Sequence, residues 1–107
     1  MTPEIDQLEC PVNPFMNIIN GKWTIHILWE LYQENNHYGS LLKSLPGIST
    51  RTLSTRLKML ENNNIITRKV ITETNPPMVS YPFTEKGLSL VPILMSMKNW
   101  SEEYSKH

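Results

Sequence analysis

Residues 45–68 read LPGISTRTLSTRLKMLENNNIITR, and the way this stretch is punctuated decides the fold. Pro46-Gly47 interrupts an apolar segment that ends at Leu45, and Ser49 stands where a side-chain oxygen can cap a new helix. Leu53, Leu57 and Leu60 then recur at i, i+4 and i+7, the spacing of one helix face. The prediction is a helix, a tight turn and a second helix. With the leucines turned inward, Thr50, Arg51, Thr52, Thr55, Arg56 and Lys58 form an outer face with no carboxylate before Glu61. Guanidinium groups read guanine edges, and hydroxyl and ammonium groups hold phosphates, so this face has the chemistry of a DNA groove. A basic amphipathic helix can equally be a solvated surface, so its neighbours have to decide.

Asn64 sits where the helix must stop and tolerates a left-handed cap, and Ile65 to Thr72 is rich in β-branched residues and carries Arg68 and Lys69. Pro76-Pro77 marks a loop, after which Val79, Tyr81 and Phe83 alternate with Met78, Ser80 and Pro82. Residues 65–83 are therefore expected to form a basic hairpin. Upstream, Tyr38 to Leu45 supplies a short supporting helix, which places the helix-turn-helix at 38–62. Two helices followed by a basic hairpin predict a mainly α winged helix-turn-helix with a small β-hairpin.

The run I-S-x-R-x-L-x-x-R-L-x-x-L-E at Ile48 to Glu61 resembles the signature of HxlR-type winged helix-turn-helix transcriptional regulators. Further matches flank it in order: Cys10-Pro11, Gly21-Lys22-Trp23-Thr24, Leu45-Pro46-Gly47, Pro76-Pro77, Tyr81, Thr84-Glu85-Lys86-Gly87, Pro92 and Trp100. The resemblance spans nearly the whole chain from Cys10 to Trp100. Two departures stand out. The pattern usually has an acid near Ser40, and it reads P-P-R-V-E-Y where this chain has Pro77-Met78-Val79-Ser80-Tyr81. The missing arginine leaves Lys69 as the better wing contact.

At 107 residues the chain is long enough for one small domain, and 39% hydrophobic residues are ordinary for a globular protein. A formal net charge of zero argues against a nucleic-acid binder until its distribution is considered. Residues 1–42 carry −4, residues 43–69 carry +5 and residues 70–107 carry −1, so the basic charge gathers on the presumed reading head. The N-terminal MTPEIDQLE has neither a basic nor an apolar signal region, and no membrane span is expected, so the reading is cytoplasmic. One cysteine fits a reducing compartment or a bridge to a second subunit.

In chain order, residues 1–12 predict an extended N-terminal arm. Asn13 is the expected cap of a first helix, with Pro14 at its first position and Asn20-Gly21 at its end. Lys22 to Glu34 predicts a second helix, apolar nearly all round and so central or at an interface, with His26 on its narrow polar stripe facing solvent and Asn35-Asn36 breaking it. Residues 84–105 predict a last helix capped by Thr84 and kinked near its start by Pro92. Its Leu88, Leu90, Val91, Ile93, Leu94, Met95, Met97 and Trp100 offer more apolar surface than one small domain can cover, which points to a partner. The resemblance implies a homodimer through the terminal helices, with double-stranded DNA as a pseudo-palindromic operator.

Position on the fold assigns the site. Thr50, Arg51 and Thr52 are expected at base edges or nearby phosphates, with Ser54 and Thr55 beside them. Arg56 and Lys58 are expected on the backbone, and Arg68 and Lys69 reach out from the wing; Arg56 can instead pair with Glu61 or pack its stem on the core. A cysteine placed like Cys10 recurs in HxlR-type regulators that respond to oxidants, quinones or other electrophiles, so the resemblance implies redox sensing there. A regulator sensing a small molecule without thiol chemistry, and a winged helix that docks on an acidic protein, remain open alternatives. No Ser/His/Asp or Cys/His constellation and no phosphate loop points to an enzyme. No cofactor is expected, and Cys10, His26, His37 and His107 lack metal-ligand spacing.

Overall fold

The computed structural model describes residues 10–105. Six helices and one hairpin follow in the order α1 (Asn13–Ile19), α2 (Thr24–Tyr32), α3 (Tyr38–Ser44), α4 (Thr50–Asn62), β1 (Lys69–Ile71), β2 (Met78–Ser80), α5 (Glu85–Leu88) and α6 (Val91–Tyr104). Helices α3 and α4 are the helix-turn-helix, and β1–β2 is the wing. The arm expected over residues 1–12 falls mostly outside the described residues.

The core is built by the inner faces of the helices. Ile27, Leu28 and Leu31 of α2, Leu41 of α3, and Leu53, Leu57 and Leu60 of α4 are all buried together with Ile65 and Ile66. The i, i+4, i+7 leucines are thus the packed stripe of α4. Ser49 caps this helix as expected, its hydroxyl accepting from the Thr52 amide at 3.0 Å. Asn64 adopts φ +61°, ends the helix and turns the chain into the wing.

Several boundaries differ from the sequence reading, each for a local reason. Asn13 is the first residue of α1 rather than its cap; Val12 holds the cap position and makes no side-chain cap bond. Helix α2 is shorter than residues 22–34: it starts at Thr24, whose hydroxyl donates to the Asn20 carbonyl at 3.0 Å. It ends before Asn35-Asn36, because Glu34 already adopts φ +66° and the Asn35 amide turns back to the Glu30 carbonyl. One face of α2 is buried (Thr24, Ile27, Leu28 and Leu31), while His26 is exposed and Trp29 half-buried.

The wing is also shorter than the sequence suggests. Lys69 pairs with Ser80, Val70 with Val79 and Ile71 with Met78, and a separate bridge joins Ile66 to Phe83. The expected alternation breaks at Ser80, which is only 6% exposed and bridges to His37, while adjacent Tyr81 is also buried and donates its amide to the Asn36 carbonyl. A third stretch of chain lies along β2, which takes its residues out of a simple two-sided pattern.

The single kinked helix expected over residues 84–105 is two helices. Thr84 does cap the first, its hydroxyl accepting from the Gly87 amide at 3.0 Å, but α5 stops at Leu88 and Pro92 stands in the first turn of α6. Proline lacks the amide that a continuous helix would need and is at home in a first turn. Leu90 and Leu94 join the core, whereas Ile93, Met97, Trp100 and Tyr104 form an exposed stripe on α6. From Ser96 to Ser105 every residue is exposed, with Trp100 at 66%.

Candidate nucleic-acid interface

The outer face of α4 is what its buried leucines leave over. Thr50, Arg51, Ser54, Thr55 and Lys58 are exposed along it, and Thr52 is half-buried because its amide and hydroxyl both engage Ser49. Tyr38 of α3 braces this face from the side: its hydroxyl lies 3.0 Å from the Ser54 hydroxyl and donates to the Thr50 carbonyl at 3.3 Å. The sequence reading did not single out Tyr38. An aromatic residue at the start of the supporting helix was the only available signal, and its reach across to α4 is a tertiary fact.

Arg56 stands apart from its neighbours. Its Nη1 donates to the Asn20 carbonyl at 3.2 Å, and its guanidinium lies over Gly21 so closely that a Cβ there would overlap it. Gly21 is also at φ +104°, so both the turn and the packing call for glycine. Arg56 thereby ties α4 to the α1–α2 turn rather than pairing with Glu61. Glu61 instead has Lys58 Nζ at 3.8 Å, an exposed contact of little energetic weight.

Arg68 and Lys69 are exposed at the root of the wing. Among the described residues the ion pairs are Lys58–Glu61 and Lys98–Glu102, and Arg51, Arg68 and Lys69 enter neither. The two departures from the family pattern meet in space. Ser40 and Met78 line one cleft between α3 and the wing. Cys10 is exposed and unbridged, and its carbonyl accepts the Asn13 amide at 3.0 Å just ahead of α1. Among the described residues no group of three or more His, Cys, Asp or Glu side chains stands together as a metal site, and no helix is long and apolar enough to cross a membrane.

Known proteins share this fold. Residues 18–107 match the family described as HxlR-like helix-turn-helix. An HTH-type transcriptional regulator of Synechocystis sp., sll1512, is 39% identical over 100 residues, covering 90% of this chain and 73% of that one. The redox regulator HypR in its reduced form is similar in structure, with TM-score 0.80 and 30% identity over 91% of this chain and 95% of that chain. The reduced form of the Bacillus subtilis regulator YodB has TM-score 0.72 and 27% identity, covering 92% and 97%. The coverage, the leucine stripe of α4 and the wing agree with one another, and the chain belongs to the HxlR-type family of winged helix-turn-helix transcriptional regulators.

Proposed function

We propose that this regulator acts in the cytoplasm as a homodimer that reads a pseudo-palindromic DNA operator with α4 and the wing, and that Cys10 makes it responsive to oxidants or electrophiles. The observation that carries the DNA reading is the outer face of α4: exposed hydroxyls and cations, no carboxylate before Glu61, and a capped N-terminus free to enter a groove. Thr50, Arg51 and Thr55 are assigned to base edges and adjacent phosphates, Thr52 and Ser54 to holding that end of the helix in shape, and Lys58, Arg68 and Lys69 to the backbone. Arg56 is assigned to the scaffold.

The exposed Ile93, Met97, Trp100 and Tyr104 support a dimer through α6. Such a dimer would present its recognition helices roughly 34 Å apart, one turn of duplex. Sedimentation of a monomer at micromolar concentration would remove this part of the reading.

Fluorescence anisotropy with a duplex from the gene's own upstream region tests DNA binding. Specific binding is expected to weaken steeply as salt rises. Arg51→Ala is expected to cost about 1–3 kcal/mol of binding and to lower the salt slope by about one ion. Arg56→Ala is expected to leave the slope unchanged and to lower the melting temperature instead. Equal losses of slope from both variants would return Arg56 to the DNA face. Binding abolished by nonspecific duplex at equal concentration would leave no sequence-specific site, and no binding to any duplex would favour docking on an acidic protein.

The redox assignment draws support from the likeness to HypR and to YodB, which has been solved after diamide treatment, and from the exposure of Cys10. With one cysteine per chain, a disulfide between protein thiols has to join two chains. Two Cys10 thiols would lose two protons and two electrons to diamide, which becomes the hydrazine. Diamide is expected to change operator affinity in the native protein and not in Cys10→Ser, with a covalent dimer on a non-reducing gel. A full diamide response in Cys10→Ser would discard the sensor and keep the regulator.

A further inference from the structure

A cleft of about 580 Å³ opens between the start of α3 and the wing. Tyr38, Pro77, Met78, Val79 and Tyr81 give it mainly apolar and aromatic walls, and no carboxylate lines it. Arg68 is its one guanidinium, and among the described residues Arg68 enters no ion pair. A mainly apolar cavity of this size with a few convergent polar groups is the common make-up of a small-molecule site. A guanidinium at the edge of apolar walls selects a carboxylate, which it can hold with two parallel hydrogen bonds. Two phenol rings and a thioether favour a flat apolar body behind that carboxylate. A DNA phosphate would satisfy Arg68 alone and leave Tyr38 and Met78 uncovered.

The cleft also touches both parts of the reading head. Tyr38 on one wall holds the Thr50 carbonyl and the Ser54 hydroxyl of α4, while Arg68 immediately precedes β1 and Met78 begins β2. We propose that this cleft binds a small organic acid with a planar apolar body, its carboxylate on Arg68 and its body against Tyr38, Met78 and Tyr81, and that occupancy opposes operator binding. The opposition follows from charge: one guanidinium cannot neutralise a ligand carboxylate and a DNA phosphate at once. The antagonism is reciprocal, so DNA weakens the ligand by the same factor. This coupling rests on the DNA-binding reading; the ligand site itself does not.

Calorimetric and NMR titrations of the full chain without DNA test the site, with naphthalene-2-carboxylate, naphthalene-2-carboxamide and inorganic phosphate as probes. The carboxylate is expected to saturate at one per chain and to shift the amides of Gly39, Ser40, Val79 and Tyr81, with the carboxamide at least about tenfold weaker. Arg68→Gln, at an exposed position, is expected to erase the difference between the two probes. Gly39→Leu, where an added Cβ meets nothing within 4 Å, is expected to narrow the cleft and weaken both with the helical circular dichroism kept. Saturation by phosphate but not by the carboxylate, no saturable binding, or binding unchanged in both variants would overturn the site. In the anisotropy experiment, saturating carboxylate is expected to weaken operator binding by the native protein and not by Arg68→Gln. Unchanged operator affinity would end the coupling while DNA binding stood, and a chain that bound the carboxylate but no duplex would end the DNA reading while the site stood.

Discussion

Replacing Leu57 with alanine is expected to lower the unfolding free energy by about 2–5 kcal/mol. Leu57 is 1% exposed and belongs to the same cluster as Ile27, Leu28, Leu41, Leu53 and Leu60, so its removal leaves a cavity where several helices meet. Small domains hold only about 5–15 kcal/mol in all, and this one change would consume a large share. Urea unfolding is the measurement: the midpoint is expected to fall sharply with the slope unchanged. Thr55→Ala, on the exposed face of the same helix, is the control and is expected within about 0.5 kcal/mol of the native protein. A native-like midpoint for Leu57→Ala would mean that α4 presents a different face to the core, and the assigned DNA face would turn with it.

Gly87→Ala is expected to destabilise the protein by about 1–3 kcal/mol or more, against the sign that helix propensity predicts. Gly87 lies in α5, where alanine would ordinarily be worth about 1 kcal/mol of extra stability. Here a Cβ would overlap the Ile65 carbonyl oxygen and come within 2.7 Å of Phe83 Cδ1. The carbonyl cannot easily move aside, because it also accepts the Thr84 amide at 3.0 Å and the Thr84 hydroxyl at 3.2 Å. Ile65 begins the approach to the wing, so the strain would fall at the wing's root. Thermal melting checks the sign. A melting temperature equal to or above that of the native protein would show that α5 can back away from Ile65.

The elements that a single stretch specifies were legible in the sequence. The Ser49 cap, the Leu53, Leu57 and Leu60 stripe, the left-handed Asn64 and the Thr84 cap are each set within four residues or so, and each stands in the structure as its residue types require. Short-range chemistry does not extend to ends where distant groups intervene. The α2 terminus moved because Glu34 went left-handed and the Asn35 amide turned back to the Glu30 carbonyl, and the β2 alternation failed because His37, more than forty residues away, lies beside Ser80.

Within the candidate site the division is the same. Arg51, Thr50, Thr55 and Lys58 were readable as an outer face, because a helix with three inward leucines leaves those positions outside. Arg56 was not, since an arginine at that point of the helix is compatible with DNA, with Glu61 or with the core until the α1–α2 turn brings the Asn20 carbonyl within 3.2 Å. Tyr38 and the cleft beside Arg68 were equally out of reach.

By itself, then, the sequence determined the winged helix-turn-helix, the basic concentration over residues 43–69 and the polar outer face of α4, because periodicity, capping and charge are local properties of the chain. Only the tertiary structure decided which cations are free and which are tied down, where the last helix divides, and that α3 and the wing enclose a cleft around Arg68. Those outcomes depend on contacts between residues far apart in sequence, and such contacts exist only once the core has closed.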